Sequence, residues 1–204
     1  MGPTGESQVV QGILRRKTGT APAPLNVTLI AKFYDPAYVL GEEDKLIDMT
    51  AQEKSDSLFT EENHCYSRCL GKLPADPKLA PAFYGAYLRD EKMKVIPLEF
   101  FGPPDWKRLD KCPKSIGWDL FNTVTKAMRT LQDTAGLSLR DIGSRNIFVK
   151  LGADLKVTAV VFIDFARVEF QPDESWRKSD YDRHYKGSFL DLKCLFQEEQ
   201  FIPS

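Results

Sequence analysis

Asp141 and Asn146 stand five residues apart in LRDIGSRN, and Asp164 follows eighteen residues later in VVFIDFAR. Residues of these types at these spacings could carry out one kind of chemistry, the transfer of a phosphoryl group to a hydroxyl. An Asp accepts the proton of the attacking hydroxyl. An amide oxygen and a second carboxylate hold Mg²⁺, which bridges the nucleotide phosphates and takes up the charge developing on them. On this reading Asp141 is the catalytic base, and Asn146 and Asp164 are the metal ligands. The intervening sequence supplies a means of bringing them together. IFVKL follows Asn146 directly, GAD makes a turn, and VTAVVFI returns to Asp164. That pattern predicts a β-hairpin with one ligand at its entry and the other at its exit.

The remaining elements follow from periodicity. QVVQGILRRK (8–17) and NVTLIAKFY (26–34) predict two strands joined by a turn-rich connector. The stretch 35–57 is acidic and reads as irregular. A helix is expected over 58–70, with Thr60 as N-cap and Gly71 just past its end. Its inward face would carry Phe59, Glu62, Tyr66, Cys69 or Leu70, and Leu73. LAPAFYGAYLRD (79–90) and MKVIPLEFF (93–101) predict two more strands, and 101–115 reads as a loop. IGWDLFNTVTKAMRTLQDTAG is the best helix, with Leu120, Val124, Ala127, Met128, Leu131 and Ala135 on one stripe and Gly136 as its stop. The polar tail ends in a short amphipathic helix, SFLDLKCLFQEE (188–199). The class is therefore α+β, with GPP at 102–104 dividing a strand-rich region (1–101) from a second region (102–204).

Composition narrows the function classes. Twenty-eight basic and twenty-nine acidic residues nearly cancel, so nothing favours nucleic acid or an anionic membrane as partner. No apolar run approaches 18 residues, and MGPTGESQVV has no basic-then-apolar pattern; an intracellular, cytoplasmic protein is expected. The four cysteines follow no disulfide-framework spacing. Cys65 and Cys69, at helical i, i+4 spacing beside His64 but with no second ligand pair, read as core thiols and not as a metal site.

Lys32 lies within VTLIAKFY, where apolar neighbours would half-bury its ammonium, a costly situation without a partner or a bound anion. Glu62 is the expected partner, since it shares the helix face of Tyr66 and Leu70. A strand Lys, a helix Glu thirty residues on, D-x4-N and D-F-A occur in the order found in protein kinases. The sequence resembles the protein-kinase-like superfamily throughout its length. It looks nearest to fungal kinase-like domains, through ENHCYSRCL and DIGSRNIFV. The resemblance implies a two-lobed fold with a β-rich N-lobe holding one helix and a reduced helical C-lobe. It also implies ATP and Mg²⁺ as cofactors, with Lys32 on the α- and β-phosphates and Glu62 orienting it. PLEFFG resembles the hinge, with the backbone of Glu99 and Phe101 facing the adenine.

Four departures accompany the resemblance. Leu139 stands where a catalytic-loop His is usual, and Ala166 replaces a Gly. Only Gly2, Gly5 and QVVQG resemble the phosphate-covering loop. Forty residues follow Asp164, fewer than a peptide-binding helical subdomain needs. Three functions stay open: a phosphotransferase acting on an unknown hydroxyl acceptor, a nucleotide-binding pseudokinase serving as an interaction module, and a small-molecule kinase like the aminoglycoside or choline phosphotransferases.

Overall fold

The structure, a computed structural model, describes residues 8–14, 27–39, 50–89, 93–102, 106–172 and 178–203. The phosphate-loop remnant at Gly2 and Gly5, the strand end at 15–17, most of the acidic stretch (40–49), Pro103 and Pro104 of the expected boundary, and 173–177 of the polar tail lie outside the described residues. The chain is mixed α+β and divides into two compact units. One comprises Met1–Asn63 and Ala82–Phe100; the other comprises His64–Pro81 and Phe101–Ser204. The last crossing between them falls at 100/101, one residue from the expected division, and residues 64–81 belong with the second unit.

The first unit is built on an antiparallel sheet of β1 (Gln8–Leu14), β2 (Val27–Tyr34), β3 (Tyr87–Arg89) and β4 (Met93–Glu99), in the order β1-β2-β4-β3. β3 is much shorter than the strand expected over 79–90. Pro81 cannot donate to a ladder, and Gly85 adopts φ +104°, so only a bridge from Phe83 to Leu98 precedes it. A four-residue helix α1 (Pro36–Val39) follows β2, with the Ala37 N–H donating to the Asp35 carboxylate at 2.9 Å.

Helix α2 (Ala51–His64) begins seven residues before the expected start, and Thr60 lies inside it. Its true N-terminus is a capping box. The Glu53 N–H donates to Thr50 Oγ1 at 3.2 Å, and the Thr50 N–H donates to Glu53 Oε2 at 2.8 Å. One face then meets the sheet at three-residue steps. Asp56 pairs with Lys94, the Phe59 ring stands edge-on to Tyr34 at 5.7 Å and beneath the Lys94 ammonium, and Glu62 reaches Lys32.

The second unit opens with a π-helical segment, Cys65–Cys69, and a 3-10 turn, Leu70–Lys72, so Gly71 lies within a turn and not past a helix end. Cys65 and Cys69 are buried thiols, as their spacing suggested. The segment read as a loop contains β5 (Trp106–Arg108), which pairs with β7 (Ile147–Leu151), itself paired with β8 (Val157–Phe162). Helix α3 (Gly117–Ala135) buries Leu120, Val124, Met128, Leu131 and Ala135, whereas Ala127 is only half-buried. It starts on a glycine of necessity: a Cβ at Gly117 would stand 1.7 Å from the Phe201 carbonyl oxygen. It ends at Gly136, left-handed at φ +68°, whose N–H donates to the Gln132 carbonyl at 2.9 Å.

Two further strands have no counterpart in the sequence reading, β6 (Leu137–Leu139) and β9 (Val168–Phe170), which pair with each other. The C-terminal helix α4 (Lys178–Glu198) starts ten residues earlier than expected. Tyr181, Ser188, Leu192 and Phe196 form its buried face. Among the described residues, no helix is long and apolar enough to cross a membrane.

Candidate functional site

The sequence-selected residues fall in both units, and each group has its own physical basis. In the first unit, Lys32 and Tyr34 alternate with outward residues along β2, so both side chains stand on one face. Glu62 rises from α2 to meet them. The Lys32 ammonium donates to Glu62 Oε2 at 2.6 Å, and the Tyr34 hydroxyl donates to the same oxygen. Glu62 and Tyr34 are fully buried and Lys32 is 6% exposed. Burying an ion pair is expensive, and apolar residues of equal volume often do as well for stability. The pair is therefore poorly explained as a stabilising device. Tyr34 is the member that sequence reasoning missed, although its position two residues after Lys32 on a strand was the available signal.

Glu99 ends β4, opposite Leu29. Its N–H donates to the Ala82 carbonyl at 3.0 Å, and its carboxylate accepts the Ala82 N–H at 3.0 Å, so both of these groups hold the segment before β3. Phe101 opens the long second segment of the second unit. Its side chain is buried edge-on to Trp106 at 4.9 Å, with the Lys78 ammonium 5.7 Å from its ring.

In the second unit, Asp141, Asn146 and Asp164 are positioned by backbone. Two antiparallel pairs clamp two loops at both ends. On one side β6 pairs with β9, and the Arg140 N–H extends the ladder to the Arg167 carbonyl at 3.2 Å. On the other, β7 pairs with β8, and the Ile163 N–H extends it to the Asn146 carbonyl at 2.9 Å. Between these rungs one loop has five residues, Asp141–Arg145, and the other has three, Asp164–Ala166. Asn146 stands across from Ile163, next to Asp164, so both expected metal ligands lie at one end of the β7–β8 hairpin. Asp141 begins the five-residue loop from the β6 end.

The shorter loop spans the same gap through an unusual backbone turn. Asp164 sits at φ +66°, in the left-handed region that Asp and Asn tolerate better than most side chains. Phe165 and Ala166 are buried, and the Phe165 ring meets Tyr66 edge-on at 5.5 Å. The buried methyl of Ala166, where the resemblance would put a Gly, narrows the turn's conformational freedom.

The donor chemistry at this end suits a small hard cation. Asn146 is buried, and its amide nitrogen lies 3.4 Å from the Asp141 carbonyl. An amide oxygen and a carboxylate are donors of the kind Mg²⁺ takes when phosphates and water complete its shell, so Asn146 and Asp164 are the residues that could hold it. Among the described residues, no group of three or more His, Cys, Asp or Glu could hold a metal ion.

No protein-family model matches the chain, and no curated protein does. Among solved structures the chain is similar to the crystal structure of WbdD, with 17% identity and a TM-score of 0.45, over 89% of this chain and 43% of that one. The chain thus spans less than half the length of the WbdD chain that it matches.

Proposed function

We propose that the chain is an ATP- and Mg²⁺-dependent phosphotransferase of two-lobed, protein-kinase-like fold that passes the γ-phosphoryl group to a hydroxyl acceptor. The observation that carries this reading is the pair of clamped loops, which sets Asn146 and Asp164 at one hairpin end and Asp141 at the start of the five-residue loop that leads to Asn146. The buried Lys32–Glu62 pair supports it further, since its cost is better justified by anion binding than by stability.

In this mechanism the Asp141 carboxylate accepts the proton of the acceptor hydroxyl as the new P–O bond forms. The bond from the γ-phosphorus to the bridging oxygen breaks, and ADP leaves with that oxygen. Asn146 and Asp164 would hold Mg²⁺, whose positive charge would offset the charge on the phosphates. Lys32 binds the α- and β-phosphates, and Glu62 and Tyr34 hold its ammonium in place. The Glu99 carbonyl and the Phe101 N–H meet the adenine edge. Val9, directly across from Lys32 in the sheet and 58% exposed, offers apolar surface to the base.

A nucleotide-binding pseudokinase is the second reading, favoured by the buried aliphatic Leu139 at the entry to the catalytic loop. Thermal stabilisation by ATP, with and without Mg²⁺, tests both. The phosphotransferase requires a shift that grows with Mg²⁺ and a turnover that Asp141→Asn removes without weakening ATP binding. Absence of any shift would sink both readings, whereas a metal-independent shift without turnover would favour the pseudokinase.

A further inference from the structure

Two buried polar side chains outside the proposed reacting set converge on the strand that leads into Asp141. Gln132, in the last turn of α3, is fully buried, and Ser188 of α4 is 1% exposed. Gln132 Oε1 accepts the Leu139 N–H at 2.8 Å, two residues before Asp141. The Ser188 hydroxyl lies 2.7 Å from the Tyr185 carbonyl and 3.2 Å from Gln132 Oε1, sharing its proton between them. One residue along α3, the Tyr185 hydroxyl donates to the Asp133 carboxylate at 2.6 Å, so α4 grips α3 at consecutive positions.

Packing alone gives no reason for a glutamine here. Its Nε2 is buried with no hydrogen-bond partner among the described residues. Turning the amide over would set its NH2 against the Leu139 N–H, so this orientation is fixed by the backbone donor. A buried, unsatisfied amide nitrogen is costly, and a methionine of similar length would have none. The amide oxygen of Gln132 stands at the position where it can fix the entry to the Asp141 loop.

We infer that Gln132, seated by Ser188, is a positioning residue for Asp141. It anchors through the Leu139 backbone a loop whose side chain at 139 is aliphatic and has no hydrogen bond to give. The inference rests on the phosphotransferase reading for its catalytic consequence, but its structural half can be tested without turnover.

The test compares Gln132→Met, which keeps length and loses the acceptor, with Gln132→Glu, which keeps an acceptor oxygen at the same place in either protonation state. Gln132→Met should lower kcat roughly ten- to a hundredfold with the KM for ATP unchanged, the scale expected when a reacting group is slightly misplaced. Gln132→Glu should retain most of the rate. Equal loss in both variants, or no loss in either, would overturn the inference. If Gln132→Met does not fold, Ser188→Ala takes its place, with a smaller fall in kcat expected and an unchanged kcat overturning it. If the wild-type protein shows no turnover, the phosphotransferase reading fails separately. Amide hydrogen exchange then decides the positioning role: residues 139–142 should exchange faster in Gln132→Met than in wild type, while 147–151 stay unchanged. Equal exchange at 139–142 in the two proteins would count against it.

Discussion

The two groups of candidate residues are held by opposite means. Lys32, Tyr34 and Glu62 are fixed by one another, side chain to side chain, in surroundings from which water is excluded. Asp141, Asn146 and Asp164 are carried on loops whose ends are pinned by backbone ladders, and Asp141 and Asp164 keep partial exposure. The difference teaches where mutation should be felt. A group defined by buried charges cannot lose a member without disturbing the others, so its chemistry and its stability are linked. A group defined by backbone rungs can exchange side chains while the loops stay in place, so its chemistry can be removed alone.

The comparison can be broken most forcefully at Glu62. Glu62→Ala removes a fully buried carboxylate that accepts from both Lys32 and Tyr34 and should destabilise the protein by about 3–5 kcal/mol. Chemical denaturation would measure it, and a loss below about 1 kcal/mol would mean that the charge is relieved in some other way. Tyr34→Phe removes a hydroxyl from the same oxygen and should cost about 1–2 kcal/mol, since one buried charge-assisted bond is lost while the ion pair survives.

The contrasting region should respond differently. Asp164→Asn should cost much less stability than Glu62→Ala, because Asn also tolerates the left-handed backbone at that site. The same substitution should abolish the Mg²⁺-dependent part of ATP stabilisation, an amide being a poorer ligand for a hard dication. A large stability loss there would erase the distinction between the two regions.

The smallest effect concerns the capping box of α2. Hydrogen bonds from the Thr50 backbone and hydroxyl lower the Glu53 carboxyl below its usual range. A carboxyl whose folded pKa is depressed stabilises the fold above its unfolded pKa, and that contribution is lost as pH falls through the folded value. Acid should therefore loosen the first turn of the helix that carries Glu62. Amide exchange at residues 52–54 should rise on acidification relative to Glu53→Gln, and equal pH profiles would show that the box does not titrate.

Much of this arrangement was legible in the sequence where a period ran long enough to stand out. The α3 stripe and the β7–β8 hairpin were read correctly because 3.6-residue and alternating patterns persist across them. The contact of Lys32 with Glu62 followed from burial logic alone. The three-residue strands β6 and β9 were not legible, because three residues carry no period and their pairing joins positions some thirty residues apart. The start of α2 was hidden differently. Its first turns, AQEKSDS, have no apolar stripe, and the T-x-x-E signature at Thr50–Glu53 lay in a stretch that read as merely acidic. The first half of α4 is likewise polar. Gln132 resembled any other helix residue until the fold brought the Leu139 N–H to it.

The five- and three-residue loops measure out the distance between carboxylates in whole peptide units. An inserted residue in either loop could not be absorbed by sliding the neighbouring strands, since a one-residue slip would turn Ile147 and Val149, or Val168, out of the core. The extra length would have to bulge where it was added and would alter the spacing of Asp141 and Asp164 while the ladders held. Substitutions in these eight connecting positions and their flanks are thus a matter of chemistry, but insertions and deletions are a matter of ruler length. In a lineage descended from this chain, the residues of the two loops could drift long before their lengths did.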